Sequence, residues 1–115
     1  MTQETNLKIM RLLEGNPQMT QRELSDSLGI SLGKVNFCLK ALKEKGYLKW
    51  QIFSNNSNKM QYFYLLTPSG VIEKGILTIH FLRKKQEEFD VLKQEIETLG
   101  LEVKQLNQHA LKDII

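Results

Sequence analysis

The C-terminal third of the chain carries a heptad repeat of apolar residues. Between residues 89 and 110 the apolar positions alternate three and four residues apart, the spacing of a helical seam. The a positions are Phe89, Ile96, Val103 and Ala110, and the d positions are Leu92, Leu99 and Leu106. Charged residues flank the seam, so a helix here cannot bury its stripe alone. It either folds over its own domain or pairs with another chain, and three consecutive heptads favour a partner helix.

Helix signals also fill the first part of the chain. Residues 4–14 have helical apolar spacing, and the phrase Gly-Asn-Pro at 15–17 ends that helix. Thr20 and Glu23 form a capping box that opens a second, short helix. Gly29 ends it, which leaves only a brief turn before the next helix.

A third helix and two strands follow. Ser31 is a good N-cap for a helix predicted over about 32–45, with Gly46 as its stop. Residues 47–53 alternate, with Leu48, Trp50 and Ile52 on one face, and residues 61–67 are aromatic and apolar. The Asn/Ser-rich stretch between them predicts a hairpin loop.

The long last helix should begin at the phrase Thr67-Pro68, an N-cap followed by proline at the first helical position. Gly100, at an e position, costs about 1 kcal/mol relative to alanine and allows a break there. The predicted fold is mainly α with a small β-hairpin. Residues 1–67 form a helix–helix–helix–strand–strand domain, and residues 68–115 form a coiled-coil-like dimerisation helix.

Charge is distributed unevenly. The net charge is +3, and residues 1–66 hold nine Lys/Arg against five Asp/Glu, so the basic excess lies in the part that would contact a polyanion. One cysteine excludes an internal disulfide. The first residues lack the apolar core of a signal peptide, and no apolar run approaches the roughly 20 residues that span a bilayer. We therefore expect a cytoplasmic protein without a membrane partner.

The stretch GISLGKVNFCLK at 29–40 raises two chemical hypotheses. A phosphate-binding loop needs four residues between its glycines and Ser or Thr after the lysine, whereas three separate Gly29 from Gly33 and Val35 follows Lys34. Cys38 would need a base to act as a nucleophile. The two histidines lie in the long helix without a recognisable catalytic arrangement, so a small buried hydrophobe is favoured over a redox-sensing thiol. The sequence shows no metal-ligand spacing or carboxylate pair, and predicts neither an enzyme nor a cofactor.

The predicted helix 32–45 has two contrasting faces. At about 100° per residue, its inward face carries apolar side chains and its outward face carries amide, ammonium and aromatic groups. Such groups meet base edges, phosphates and thymine methyls, and a second helix after a short turn is the arrangement that enters a major groove. A solvated face without a partner is the alternative. The inward set is Val35, Cys38, Leu39 and Leu42, and the outward set is Gly33, Asn36, Phe37 and Lys40, flanked by Lys34 and Lys43.

The hairpin loop at 54–60 would lie beside this helix. Its side chains, including Asn56 and Lys59, are donors for the neighbouring DNA backbone or minor groove. An ordinary flexible hairpin tip is the alternative. Arg22, on the second helix, is a further candidate DNA-binding residue.

The residues TQRELSDSLGISLGKVNFCLKALKEKGYLK resemble the helix-turn-helix of winged-helix regulators of the MarR type. The turn phrase Leu-Gly-Ile-Ser at 28–31, Val35 and the later phrase LTPSG at 66–70 carry the resemblance. More narrowly, ISLGKVNFCLKAL with YLLTPSG is similar to the small branch associated with exopolysaccharide (EPS) gene clusters.

The resemblance implies a homodimeric transcriptional regulator that binds double-stranded DNA, with EPS genes as the expected target. Recognition contacts would fall on Ser31, Gly33, Lys34, Asn36, Phe37 and Lys40. MarR regulators dimerise through helices at both chain ends, with a ligand pocket beside them. Here the N-terminal helix is short, which argues against a small-molecule pocket and places dimerisation on Phe89, Leu92, Ile96, Leu99, Val103 and Leu106. The rival hypothesis is a winged-helix protein–protein interaction module assembled through its coiled coil.

Overall fold

A computed structural model describes residues 2–54 and 60–114, with side chains described over 3–52 and 62–109. The helices are α1 (Thr2–Gly15), α2 (Gln21–Leu28), α3 (Leu32–Glu44) and α4 (Pro68–Ile114). The strands β1 (Leu48–Ser54) and β2 (Met60–Leu66) lie between α3 and α4. The predicted architecture, mainly α with a small hairpin, is therefore confirmed. Asn56 and Lys59, together with most of the proposed wing tip, fall outside the described residues.

The turn between α2 and α3 is built by side-chain caps. The Thr20 hydroxyl accepts from the Glu23 backbone N–H at 3.1 Å, and the Glu23 side chain returns to the Thr20 backbone, so the predicted capping box is present. Gly29 closes α2 with φ 66°, a left-handed conformation that favours glycine. The Ser31 hydroxyl then accepts from the Lys34 N–H at 3.1 Å and caps α3. Three residues thus separate the two helices, which fixes α3 against α2.

The hairpin is antiparallel and is held at two points. Its register runs from Leu48 opposite Leu66 to Ser54 opposite Met60. The Tyr64 N–H donates to the Pro17 carbonyl at 3.0 Å, which ties β2 to the loop between α1 and α2. The Tyr47 N–H donates to Leu42 at 2.9 Å across Gly46, whose φ of 79° turns the chain from α3 into β1. The hairpin therefore has a fixed base beside α3.

The core lies among the first three helices and the base of the hairpin. Among the described side chains, the three helices and β1 contribute apolar side chains to it, and Leu77 adds one from α4. The buried apolar side chains are Leu7, Ile9, Met10, Leu13, Met19, Leu24, Val35, Cys38, Leu39, Leu42, Leu48 and Leu77.

The chain divides into two compact units between Ile79 and His80. In the first, α4 begins at Pro68, and the Gly70 N–H donates to the Thr67 hydroxyl at 3.0 Å, as expected of an N-cap. In the second, the helix continues through Gly100 without the break that the sequence allows. One glycine costs a helix only about 1 kcal/mol, which its many other residues offset. Within 2–54 and 60–114, no helix is both long and apolar enough to cross a bilayer.

Candidate nucleic-acid interface

The two faces of α3 separate as the sequence predicts. Val35, Cys38, Leu39 and Leu42 are buried against the core. Every α3 residue proposed for DNA contact is exposed, and Phe37 shows 67% of its surface although it is a large apolar side chain. The exposed set is Gly33, Lys34, Asn36, Phe37 and Lys40, with Ser31 exposed at the helix start and Arg22 exposed on α2.

The Ser31 hydroxyl has a second role at this face. It accepts the Lys34 N–H, so part of its hydrogen-bonding capacity is committed to the helix cap. The nearby backbone amides at the start of α3 carry the partial positive charge of a helix N-terminus, which favours anions. Ser31, Gly33 and Lys34 therefore present a locally positive helix start to solvent.

A groove of about 340 Å³ lies between α3 and the hairpin. Of the proposed DNA-binding residues, Asn36 and Lys40 line it. Lys43 and Lys49 add two more ammonium groups, and no side chain that lines the groove in the described part of the chain is acidic. A groove with three lysines and no carboxylate suits a polyanion.

Aromatic side chains form the hairpin wall of this groove. The Trp50 and Tyr62 ring centroids lie 5.8 Å apart with a 46° interplanar angle. The Lys43 ammonium sits 4.6 Å from the centroid of the Trp50 ring, within the range of a cation–π contact. Both rings remain substantially exposed, at 40% for Trp50 and 50% for Tyr62. The groove thus combines an apolar wall with oriented positive charge.

Sequence reasoning missed part of this groove. The sequence places Lys43 at the flank of the outward face of α3 but does not assign it to the site, and it does not mark Trp50 or Tyr62 as site residues. The strand pattern already placed Trp50 on one face of β1. The register that sets Trp50 opposite Tyr64 and Ile52 opposite Tyr62 would have placed both tyrosines on that same face, since cross-strand partners share a side of a hairpin.

Cys38 lies inside the domain and not at this interface. Its side chain is 1% exposed and carries no disulfide. Burial raises the pKa of the Cys38 thiol above its ordinary value, and the charge of Lys34 opposes that rise only in part. A neutral, enclosed thiol is a poor nucleophile, so the interpretation of Cys38 as a small buried hydrophobe is confirmed. In the described residues no group of three or more His, Cys, Asp or Glu side chains could hold a metal ion.

This arrangement defines a winged helix-turn-helix domain. Residues 2–49 match a family model described as winged helix-turn-helix DNA-binding. Over 48 residues the chain is 44% identical to the HTH-type transcriptional regulator Ptr1 of Methanocaldococcus jannaschii. The aligned stretch covers 42% of this chain and 32% of the relative. The chain thus spans about a third of the length of the curated relative that it matches.

Solved structures of transcriptional regulators, among them a MarR/EmrR family member, share the fold over a longer stretch. A MarR/EmrR family transcriptional regulator from Acinetobacter sp. ADP1 matches with a TM-score of 0.60 at 20% identity, covering 94% of this chain and 75% of that one. The PcaV transcriptional regulator from Streptomyces coelicolor matches with a TM-score of 0.65 at 15% identity, covering 95% and 79%. The predicted likeness to MarR-type winged-helix proteins is therefore confirmed for the fold, and the EPS branch stays a prediction of the sequence.

Proposed function

We propose that this protein is a sequence-specific DNA-binding transcriptional regulator that acts as a homodimer. The observation that carries the proposal is the exposed face of α3, which presents Asn36, Phe37 and Lys40 to solvent beside a groove lined by lysines. In this proposal α3 enters the major groove, and the hairpin meets the adjacent backbone or minor groove. The winged helix-turn-helix match over residues 2–49 and the regulatory function of Ptr1 support it.

The homodimer rests on α4. The six proposed seam residues between Phe89 and Leu106 are 53–65% exposed in the single chain, a continuous apolar stripe with heptad spacing. Pairing two such stripes removes them from water. A dimer would read two half-sites related by two-fold symmetry, about one helical turn of DNA apart or a multiple of it.

Fluorescence anisotropy of labelled duplexes at several salt concentrations tests DNA binding. Fragments selected from random DNA supply the specific duplex, and a scrambled duplex is the reference. We expect Lys34→Ala and Lys40→Ala to weaken binding to both. Each should lower the steepness of the salt dependence by about 1.8 for the dimer, because each removes one phosphate contact, worth about 0.9, from each protomer. Lys8→Ala, an exposed lysine on α1 outside the groove, is the charge-matched control and should bind like the wild type.

Asn36 should contribute to the preference for a DNA sequence and not to the electrostatic attraction to the DNA backbone. An amide contact to a base edge is worth about 1–3 kcal/mol of discrimination, so Asn36→Ala should narrow the gap between specific and scrambled DNA with the salt dependence unchanged. Wild-type protein that shows no salt-sensitive binding would contradict the proposal. Equal affinity for random and selected DNA, with tight capture of a protein partner, would favour the interaction-module hypothesis instead.

A further inference from the structure

The groove between α3 and the hairpin has a composition that a base-reading surface does not need. Its hairpin wall holds the exposed rings of Trp50 and Tyr62, and Lys43 is oriented over the Trp50 ring at 4.6 Å. On the other side, Gln21 is held by the Tyr64 hydroxyl, which lies 3.3 Å from the Gln21 amide nitrogen. Trp50 and Tyr64 thus orient Lys43 and Gln21 before any ligand binds, which lowers the entropic cost of binding.

The geometry of double-stranded DNA identifies the occupant of this groove. In double-stranded DNA, a sugar–phosphate strand separates each major groove from the neighbouring minor groove. If α3 occupies a major groove and the hairpin reaches the adjacent backbone or minor groove, that strand must pass between α3 and the hairpin. We infer that one sugar–phosphate strand binds in this groove and that Lys43, Trp50 and Tyr62 contact it.

The chemistry of the groove fits such a strand. Phosphate oxygens would meet the ammonium groups of Lys40 and Lys43 and the amide of Gln21, which are donors of the kinds that bind DNA backbone. The deoxyribose between two phosphates is largely apolar, and the exposed rings of Trp50 and Tyr62 offer it a matching wall. The Trp50 ring also holds the Lys43 ammonium at the groove rather than free in solvent. This contact rests on the proposed DNA-binding function and would be independent of base sequence.

The test is the same anisotropy titration, on the selected and the scrambled duplex. Lys43→Ala should weaken both by the same factor, about 3- to 10-fold, and lower the steepness of the salt dependence by about 1.8 for the dimer, about 0.9 for each protomer. Trp50→Ala should also weaken both equally, with a smaller change of salt dependence because the indole is uncharged. Trp50→Phe should keep most of the affinity, since phenylalanine retains an aromatic face for the lysine.

The double variant adds a readout that a loss of fold would not give. If Trp50 orients Lys43, then Trp50→Ala with Lys43→Ala should lose less affinity than the two single losses combined. Lys8→Ala is again the charge-matched control, and circular dichroism melts verify that each variant is folded. Should Trp50→Ala fail to fold, Lys43→Ala and Trp50→Phe still decide the matter.

The outcomes separate the two proposals. Wild-type protein that binds neither duplex in a salt-sensitive way overturns both. Wild-type binding that Lys43→Ala leaves unchanged on both duplexes overturns the inference alone. A loss confined to the selected duplex also overturns it, because it would assign Lys43 to base reading.

Discussion

Gly70, in the first turn of α4, lies directly against the backbone of Tyr47, where the chain leaves α3 for the hairpin. A Cβ at Gly70 would overlap the Tyr47 carbonyl oxygen and would lie 2.9 Å from the carbonyl carbon. The Tyr47 carbonyl itself accepts the Thr67 N–H at 3.1 Å. The Thr67 and Ser69 hydroxyls both donate to the Gly46 carbonyl. These hydrogen bonds hold the start of α4 against the turn that follows α3.

Gly70→Ala should therefore destabilise the domain. The new methyl group meets backbone, which cannot rotate away, and overpacking of this kind costs about 1–3 kcal/mol. Urea unfolding followed by circular dichroism measures the change in the free energy of unfolding. Gly75→Ala is the matched control on the same helix, because nothing lies within 4 Å of its Cβ position. It should leave stability unchanged or raise it by up to about 1 kcal/mol, as alanine is the better helix former. Equal effects of the two substitutions would contradict the packing argument.

This contact gives a physical reason for a phrase that the sequence shows only as a resemblance. In LTPSG, Thr67 caps α4 and bonds back to Gly46, while the lack of a side chain at Gly70 lets the helix approach Tyr47. The sequence predicts the cap, since Thr-Pro is a local signal. The approach of Gly70 to Tyr47 joins residues distant in the chain, and no local pattern encodes it.

The same distinction between local signals and contacts of distant residues explains what the sequence predicts elsewhere. The helix bounds follow from short-range caps such as Thr20 and Ser31, and the α3 faces follow from helical periodicity. The alternation in β1 places Leu48, Trp50 and Ile52 on one face. It does not predict which residues of other elements cover that face. Only Leu48, at 3% exposure, reaches the core, while Trp50 and Ile52 stay 40% and 44% exposed. At its base the hairpin thus buries Leu48, and the exposure of Trp50 and Ile52 beyond the base depends on tertiary structure.

Ser31 offers a way to separate folding from DNA contact. Ser31→Ala removes the hydroxyl that accepts the Lys34 N–H, which should cost about 0.5–2 kcal/mol of stability. Ser31→Asp should restore the cap, because aspartate accepts the same hydrogen bond and suits the helix N-terminus. The aspartate also brings a negative charge to the proposed DNA face, so affinity for DNA should fall while stability recovers. If Ser31→Asp binds DNA like the wild type, the start of α3 does not lie near a phosphate.

Cys38 should make stability depend on pH in the alkaline range. Burial raises its pKa in the folded protein above the ordinary value of 9.0, with the charge of Lys34 opposing the rise. Well below pH 9.0 the thiol is neutral in both the folded and the unfolded chain. As the pH rises further the unfolded thiol ionises first, so the unfolded chain holds fewer protons and the free energy of unfolding falls.

Cys38→Ala is the reference for that prediction, because it lacks the thiol and keeps every other titrating group. The difference in unfolding free energy between wild type and Cys38→Ala should shrink as the pH rises from about 7 to about 10. The folded wild type should also react with iodoacetamide much more slowly than the urea-unfolded chain. A constant stability difference, or equally fast alkylation in both states, would contradict the burial of a neutral thiol.

The heptad seam makes a prediction about assembly. Leu92 and Leu99 occupy consecutive d positions and are 53% and 58% exposed in the single chain. In a paired helix these side chains are buried, so Leu92→Glu with Leu99→Glu would place carboxylates in the seam without partners. We expect the wild type to sediment as a dimer and the double variant as a monomer. Sedimentation equilibrium at several protein concentrations measures the change.

The same helix supplies a matched control for this assembly test. Val91 and Leu101 are also apolar and 55% and 62% exposed, but they occupy the c and f positions, outside the seam. Exposure alone therefore does not distinguish them from Leu92 and Leu99; only the heptad position does. Val91→Glu with Leu101→Glu adds the same charge to the same helix and should leave the dimer intact. If both double variants dissociate, general charge repulsion and not the seam governs assembly, and if both remain dimeric, another surface of the protein carries the interface.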